Sequence, residues 1–127
     1  MTIALACTGV FGLLLFGLGL WISLWRTFRR DFFFGAAEPT AFTTKLSRAH
    51  GNTAEFAPFL AVLMLWLGAH GPAGWVQAAM IGATVSRVLV VIGFLTGATL
   101  AQISPPKAVG AIGTYLFGAV LTAALFL

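Results

Sequence analysis

Long apolar segments with almost no charged side chains dominate the sequence. The first runs from Ile3 to Trp25, 23 residues without an Asp, Glu, Lys or Arg, and a helix needs about 20 apolar residues to cross the hydrocarbon core of a bilayer. Over the whole chain 60% of residues are hydrophobic and only 8% are charged, whereas a soluble domain carries about 25% charged residues. The chain therefore has too few charges for a water-facing surface, and lipid must be its main solvent.

Turn residues divide the apolar sequence into four predicted membrane helices. Gly and Pro cluster in the segments 35–39, 70–74 and 104–106, and such clusters mark turns and helix ends. The predicted helices span residues 3–27, 43–69, 75–100 and 107–127. The predicted fold class is therefore all-α, an integral membrane four-helix bundle that forms a single domain over residues 1–127.

The basic side chains are unevenly distributed over the predicted loops. The second loop and both termini have no Lys or Arg side chain, whereas Lys107 flanks the third loop. Because cytoplasmic loops carry the excess of Lys and Arg, we expect the first and third loops in the cytoplasm and both termini outside (N-out/C-out). The basic residues are few and not interleaved with exposed aromatics, so no nucleic-acid partner is predicted. The residues flanking the first loop are Arg26, Arg29, Arg30, Lys45 and Arg48.

Small residues recur at four-residue spacing in the third predicted helix. Ala78, Gly82 and Ser86 form one stripe, and Gly93 and Gly97 form a GxxxG motif. Membrane helices associate through close packing at such positions, because lipid tails provide no hydrophobic driving force between them. The stripes predict a helix–helix interface, within one chain or between chains.

A polar stripe interrupts the second predicted helix. Arg48, Asn52 and Glu55 fall within about 60° of one another on a helical wheel. At 1.5 Å per residue, Glu55 and the third helix's only charge, Arg87, lie about 15 and 20 Å from their cytoplasmic helix ends. We therefore expect Arg87 to approach Glu55, either as a structural ion pair or as part of a functional site, which intramembrane charges usually mark.

The string Arg48-Ala49-His50-x-Asn52-x-x-Glu55-x-x-Pro58 closely resembles the second-helix signature of the MAPEG family. These are the membrane-associated proteins in eicosanoid and glutathione metabolism, including the microsomal glutathione transferases. The chain is also similar to the family in length, helix number, basic first loop, third-helix Arg and Pro-marked turn before the fourth helix. The resemblance implies a homotrimer with glutathione bound between subunits near the cytoplasmic side. Transferred residue by residue, it implies glutathione contacts from Arg48, Asn52, Glu55 and Arg87.

The resemblance also implies two catalytic positions. An Arg at the end of the first helix contributes to the site in the family, and Arg26 is the best match, with Arg29 and Arg30 as rivals. Family members carry a further Arg just after the turn before the fourth helix, implicated in activating the thiolate. Lys107 stands at that place here, and it supplies charge without the planar guanidinium fork.

The third helix departs from the family pattern. Family enzymes commonly carry Tyr or His three and seven residues after the third-helix Arg, where this chain has Val90 and Phe94. Neither side chain can form a hydrogen bond. Tyr115 lies too far along the fourth helix to match. We therefore expect weaker glutathione binding than in the well-known enzymes, or a different ligand.

The resemblance implies a membrane glutathione transferase or peroxidase that acts on lipophilic electrophiles, with glutathione as co-substrate. The main alternative is a non-catalytic relative that binds a lipid or an anionic small molecule. A small efflux transporter fits poorly, because the first helix lacks the Glu that such proteins place there. A haem anchor and a metal site are not predicted, because His50 and His70 lie at opposite membrane faces. The expected partners are further copies of the chain, lipids and a lipophilic substrate, and the expected location is a bacterial inner membrane.

Overall fold

Four helices make up nearly all of the computed structural model, which describes residues 1–29, 38 and 41–127. A short 3-10 turn, Ala124–Phe126, follows the last helix. Each of the four helices is long and apolar enough to cross a membrane, so the predicted all-α membrane bundle is confirmed. Arg30, Gly35 and Pro39, which belong to the predicted first loop, lie outside the described residues. The helices are α1 (Thr2–Arg29), α2 (Phe42–Ala69), α3 (Gly74–Thr96) and α4 (Pro105–Ala123).

The observed helix ends differ from the predicted ones mainly around the third turn. Helix α3 ends at Thr96 rather than at residue 100, because Gly97 takes an extended conformation with φ −60° and ψ 142°. Helix α4 begins at Pro105 rather than at residue 107, since proline is favoured in the first turn of a helix, where its missing N–H is not needed. Pro58 lies inside α2, and the helix continues through it.

The bundle consists of two antiparallel helix pairs, α1 with α2 and α3 with α4, joined mainly by contacts between α2 and α3. At the end holding the α2–α3 turn, the core draws side chains from all four helices, including Ala4, Met64, Met80 and Leu121. At the opposite end, called here the loop end, the core comes from α1, α2 and α3 only. At the loop end helix α4 therefore contributes no side chain to this core, and a small space remains between α2, α3 and α4.

Helices α3 and α4 approach each other closely at glycine residues. A Cβ atom added at Gly93 would lie 2.5 Å from the backbone N of Lys107, and one added at Gly110 would lie 2.6 Å from the Ser86 carbonyl oxygen. At Gly82 the ring of Phe117 occupies the space of a side chain, 2.5 Å from an added Cβ. The small-residue stripe therefore forms an interface within the chain. Gly97 takes no part in it and instead caps α3, with its N–H bonded to the Gly93 carbonyl.

Candidate functional site

Helix α2 presents the predicted polar stripe on a face that the single chain leaves largely uncovered. Arg48 and Glu55 are exposed and Asn52 is half-buried between them. The three positions share this face because they are separated by four and three residues, close to one helical turn each. The Asn52 amide donates from Nδ2 to Glu55 Oε2 at 3.4 Å. Asn52 and Glu55 are therefore linked, and together with Arg48 they form a polar surface on an otherwise apolar face.

Arg87 on α3 is directed at this stripe from the protein interior. Its side chain is only 1% exposed. Its Nη2 donates to Asn52 Oδ1 at 2.8 Å and to the Asn52 carbonyl oxygen at 3.1 Å. Because a buried polar group is costly unless it is hydrogen-bonded, these two acceptors are what permits the guanidinium at this depth. Asn52 is therefore the central residue that joins α2 to α3.

Arg87 and Glu55, which were predicted to approach each other, are bridged by the side chain of Asn52. Among the residues that the structure describes, Arg87 and Glu55 form no direct ion pair. Arg87 donates to the side-chain oxygen of Asn52, and the nitrogen of the same amide donates to Glu55. An amide can serve both charges because it carries an acceptor and two donors. The result is a relay of three side chains, in which neither charge neutralises the other by contact.

The guanidinium of Arg87 keeps unused binding capacity. The Arg87 Nε–H is buried and has no hydrogen-bond partner within the described part of the chain. The Phe56 ring covers one side of the group, with Cζ 5.0 Å from the ring centroid, a separation at which cation and ring attract each other. A buried cation with an unpaired donor is suited to an anionic ligand, because a carboxylate or thiolate would supply both the missing charge and the missing acceptor.

A small pocket lies beside this guanidinium, in the space between α2, α3 and α4. Its volume is about 80 Å³. Helix α3 contributes Val90 and Phe94 to its wall, so the α3 wall is apolar apart from Arg87. The lining residues that bear polar side chains are Asn52, Arg87, Lys107, Thr114 and Tyr115.

An apolar groove of about 370 Å³ continues from the pocket between α2 and α4. The two spaces share Phe56, Thr114 and Tyr115 in their walls, and Glu55 stands at the side of the groove. Ligand sites for small molecules measure about 300–1,000 Å³. The pocket alone is therefore too small for a tripeptide, whereas pocket and groove together reach the usual size.

Lys107 reaches the pocket from the start of α4. Its Nζ donates to the Leu100 carbonyl at 2.7 Å and to the Gln102 carbonyl at 3.4 Å, and it lies 5.0 Å from the centroid of the Phe94 ring. These contacts tie the α3–α4 turn together, since the carbonyls after a helix end lack backbone partners. The structure thus brings Lys107 to the pocket wall, with its ammonium partly occupied by the turn.

Arg26 and Arg48 lie elsewhere in the single chain. Arg26 Nη2 donates to Ser47 Oγ at 3.5 Å, where the end of α1 meets the start of α2. Arg48 is exposed one turn before Asn52. Neither residue lines the pocket or the groove as the described residues define them. Of the predicted site residues, the structure therefore gathers Asn52, Arg87 and Lys107 at the pocket, with Glu55 at the groove.

Tyr115 is a pocket residue that the sequence interpretation set aside. Its ring meets the Phe56 ring edge-on, with centroids 5.7 Å apart and planes at 76°. The sequence spacing could have indicated this position, because residues 107, 111 and 115 follow one another at four-residue intervals and so share one face of α4. The described residues include no cluster of three or more His, Cys, Asp or Glu side chains that could hold a metal ion.

Two comparisons relate the chain to known proteins. A comparison with curated proteins gave no match. A scan of protein families matched the MAPEG family over residues 4–127, almost the whole chain. The resemblance inferred from the second helix is thereby confirmed along all four spans. The chain belongs to the MAPEG family, and it is an integral, multi-pass membrane protein of this glutathione and eicosanoid metabolism group.

Proposed function

We infer that this protein is a membrane glutathione transferase or peroxidase acting on lipophilic electrophiles. The observation that carries the proposal is Arg87, a buried guanidinium that lines the pocket, is bonded to Asn52 and has an unpaired Nε–H within the described part of the chain. Arg87 has hydrogen bonds to Asn52 but no carboxylate in contact with it among the described residues, and burying a charge costs free energy that a counter-ion in contact offsets. An anion bound at the pocket would be such a counter-ion, which gives the site its preference for anionic ligands.

The charges around the pocket match the groups of glutathione. The tripeptide carries two carboxylates, an ammonium and a thiol. Arg87 and Arg48 are suited to the carboxylates, because guanidinium groups bind carboxylates in a bidentate manner. Glu55 is suited to the ammonium, and the Asn52 amide to the peptide groups. Lys107 adds positive charge at the pocket wall, which favours the thiolate over the thiol.

The apolar groove suits the second reactant. It opens from the pocket between α2 and α4 and is lined largely by apolar side chains such as Phe59, Leu60 and Leu63. A lipophilic electrophile dissolved in the bilayer would find there a surface like its own solvent, and it would meet the polar pocket at one end. The arrangement separates a polar nucleophile from an apolar electrophile until both reach the junction.

A homotrimer belongs to the same proposal. Arg48 and Glu55 are exposed in the single chain, and charged side chains within membrane helices face protein or water rather than lipid. A neighbouring copy of the chain against this face of α2 would cover them. Glutathione held between subunits would also give Arg26 and Arg48, which lie outside the pocket of their own chain, access to one ligand. The cytoplasmic side of a bacterial inner membrane is the proposed location of the site.

Calorimetric titration of the detergent-purified protein with glutathione tests this function. We expect binding by the wild type, and binding weakened by about 1.5–3 kcal/mol in Arg48→Ala, the range for a hydrogen bond to a charged group. Gln77→Ala is the control, because Gln77 bonds to Pro72 at the α2–α3 turn, away from the pocket. Absence of binding at millimolar glutathione would eliminate the glutathione assignment, and only monomer in native mass spectrometry would eliminate the trimer.

A non-catalytic relative is the second candidate, and one observation favours it. Lys107 is engaged by two turn carbonyls, which reduces what its ammonium can offer a thiolate. Turnover of a generic electrophile separates the two candidates: binding of glutathione together with conjugation supports the enzyme, and binding without conjugation supports the non-catalytic relative.

A further inference from the structure

Tyr115 stands where the polar pocket and the apolar groove meet. Tyr115 lines both spaces, and it is the only tyrosine of the chain. Its ring packs edge-on against Phe56, and Phe56 in turn covers the guanidinium of Arg87. This succession of contacts fixes the phenol ring relative to the buried cation.

Among the described residues that line both spaces, Tyr115 is also the one with a hydrogen-bond donor to spare. Phe56 and Thr114 are the other residues shared by the two spaces. Phe56 has no polar group, and the Thr114 hydroxyl donates to the Gly110 carbonyl of its own helix at 2.7 Å. The Tyr115 hydroxyl forms no hydrogen bond with another described residue, and the side chain is 65% exposed. The donor is therefore free for a ligand.

We propose that Tyr115 is a catalytic residue whose hydroxyl donates a hydrogen bond to the thiolate sulfur of glutathione at this junction. The inference rests on the proposed function. Tyr115 keeps its proton throughout. The sulfur lone pair forms the new carbon–sulfur bond, and the displaced group leaves the electrophile with the electron pair of the broken bond. Before attack, the thiol has lost its proton to water, and the hydrogen bond from Tyr115 favours this ionised form.

The position of Tyr115 at the junction explains why its hydroxyl would act on the sulfur rather than on the carboxylates. The carboxylates of the ligand are drawn to the guanidinium groups, whereas the sulfur must face the groove from which the electrophile arrives. Among the described residues shared by the two walls, only Tyr115 has a donor that is not already used within its own helix. A hydrogen bond to an anionic acceptor is stronger than one between neutral groups, so a single hydroxyl suffices for a measurable effect.

Tyr115→Phe tests the inference, because it removes the hydroxyl and keeps the ring against Phe56. At a pH below the pKa of the bound thiol we expect kcat with a chloronitrobenzene to fall roughly ten- to hundredfold, the range for a hydrogen bond to a charged group, while the glutathione dissociation constant, which there reports binding of the thiol form, changes little. The acidic limb of the pH profile of kcat reports ionisation in the enzyme–substrate complex, and it should move to higher pH. A merely structural role would lower the rate equally at every pH.

Thr96→Val is the control, because the Thr96 hydroxyl donates to the Ile92 carbonyl of its own helix and does not line the pocket. It should leave the acidic limb in place. A second measurement uses the unaltered protein, with tyrosine labelled with carbon-13 at Cζ, which gives one resonance because the chain has one tyrosine. Glutathione should shift this resonance, and S-methylglutathione, which has no thiolate, should shift it less.

The outcomes separate this inference from the function on which it rests. If the wild type neither binds nor conjugates glutathione, the function and the role of Tyr115 fail together. If the wild type is active but Tyr115→Phe has the same kcat and the same pH profile, the role of Tyr115 alone is overturned. Equal resonance shifts with glutathione and S-methylglutathione would overturn it as well, whether or not the variant folds.

Discussion

The close contact between α3 and α4 at Gly110 predicts that even a single methyl group is not tolerated there. In Gly110→Ala the added Cβ would lie 2.6 Å from the Ser86 carbonyl oxygen and 2.7 Å from the Val90 backbone N. Both atoms belong to the backbone of α3, so no side-chain rotation can relieve the contact. The two helices must move apart until the new methyl group reaches an ordinary van der Waals distance.

The required movement sets the size of the effect. Carbon atoms pack best at about 3.5–4.0 Å, so the helices must separate by about 1 Å locally, and a gap of that size forfeits a quarter to a half of the dispersion energy of each affected contact. Overpacking of this kind costs about 1–3 kcal/mol. The pocket should suffer too, because Arg87 lies on α3 and Lys107 and Tyr115 lie on α4.

Thermal unfolding in detergent, followed by circular dichroism, measures the change. Gly118→Ala is the matched control on the same helix, since its added Cβ would meet only a Leu60 methyl group at 3.7 Å, an ordinary contact. We expect Gly110→Ala to unfold at a clearly lower temperature and Gly118→Ala to remain at the wild-type temperature or above it. Equal unfolding temperatures for the two variants would refute the close packing of α3 on α4.

Two further predictions concern the relay and the orientation of the helices. Asn52→Leu removes the side-chain acceptor of Arg87 and should destabilise the fold by about 1.5–3 kcal/mol. Adding Arg87→Leu should restore part of the lost free energy of unfolding, because no buried charge is then left without its acceptor. If the double variant is no more stable than Asn52→Leu in the same unfolding assay, the relay is contradicted. A cysteine placed at Gly35 in a Cys7→Ala background should react with a membrane-impermeant reagent only after the membrane is opened, because the first loop is predicted to be cytoplasmic. Labelling of this cysteine from outside intact cells would show that the orientation is the opposite of the predicted one.

The sequence predicted the features that depend on one helix at a time. Four spans follow from the length and apolarity of the segments, and the shared face of Arg48, Asn52 and Glu55 follows from the helical period. The motif around Asn52 indicated the family, which the match over residues 4–127 confirms. The predicted end of α3 was wrong by four residues. The segment after Thr96 is apolar enough to continue a helix, but the backbone leaves the helical conformation at Gly97.

Contacts between residues of different helices became known only from the packed bundle. The sequence predicted that Arg87 approaches Glu55, and the structure interposes Asn52. The sequence left open whether the small residues form an interface within the chain or between chains, and the structure packs Gly82 and Gly93 against α4. The sequence interpretation set Tyr115 aside, and the structure brings that side chain to the pocket. The physical reason is that the helical period fixes directions around one axis, whereas the rotation and axial shift of one helix against another depend on how side chains interlock between them.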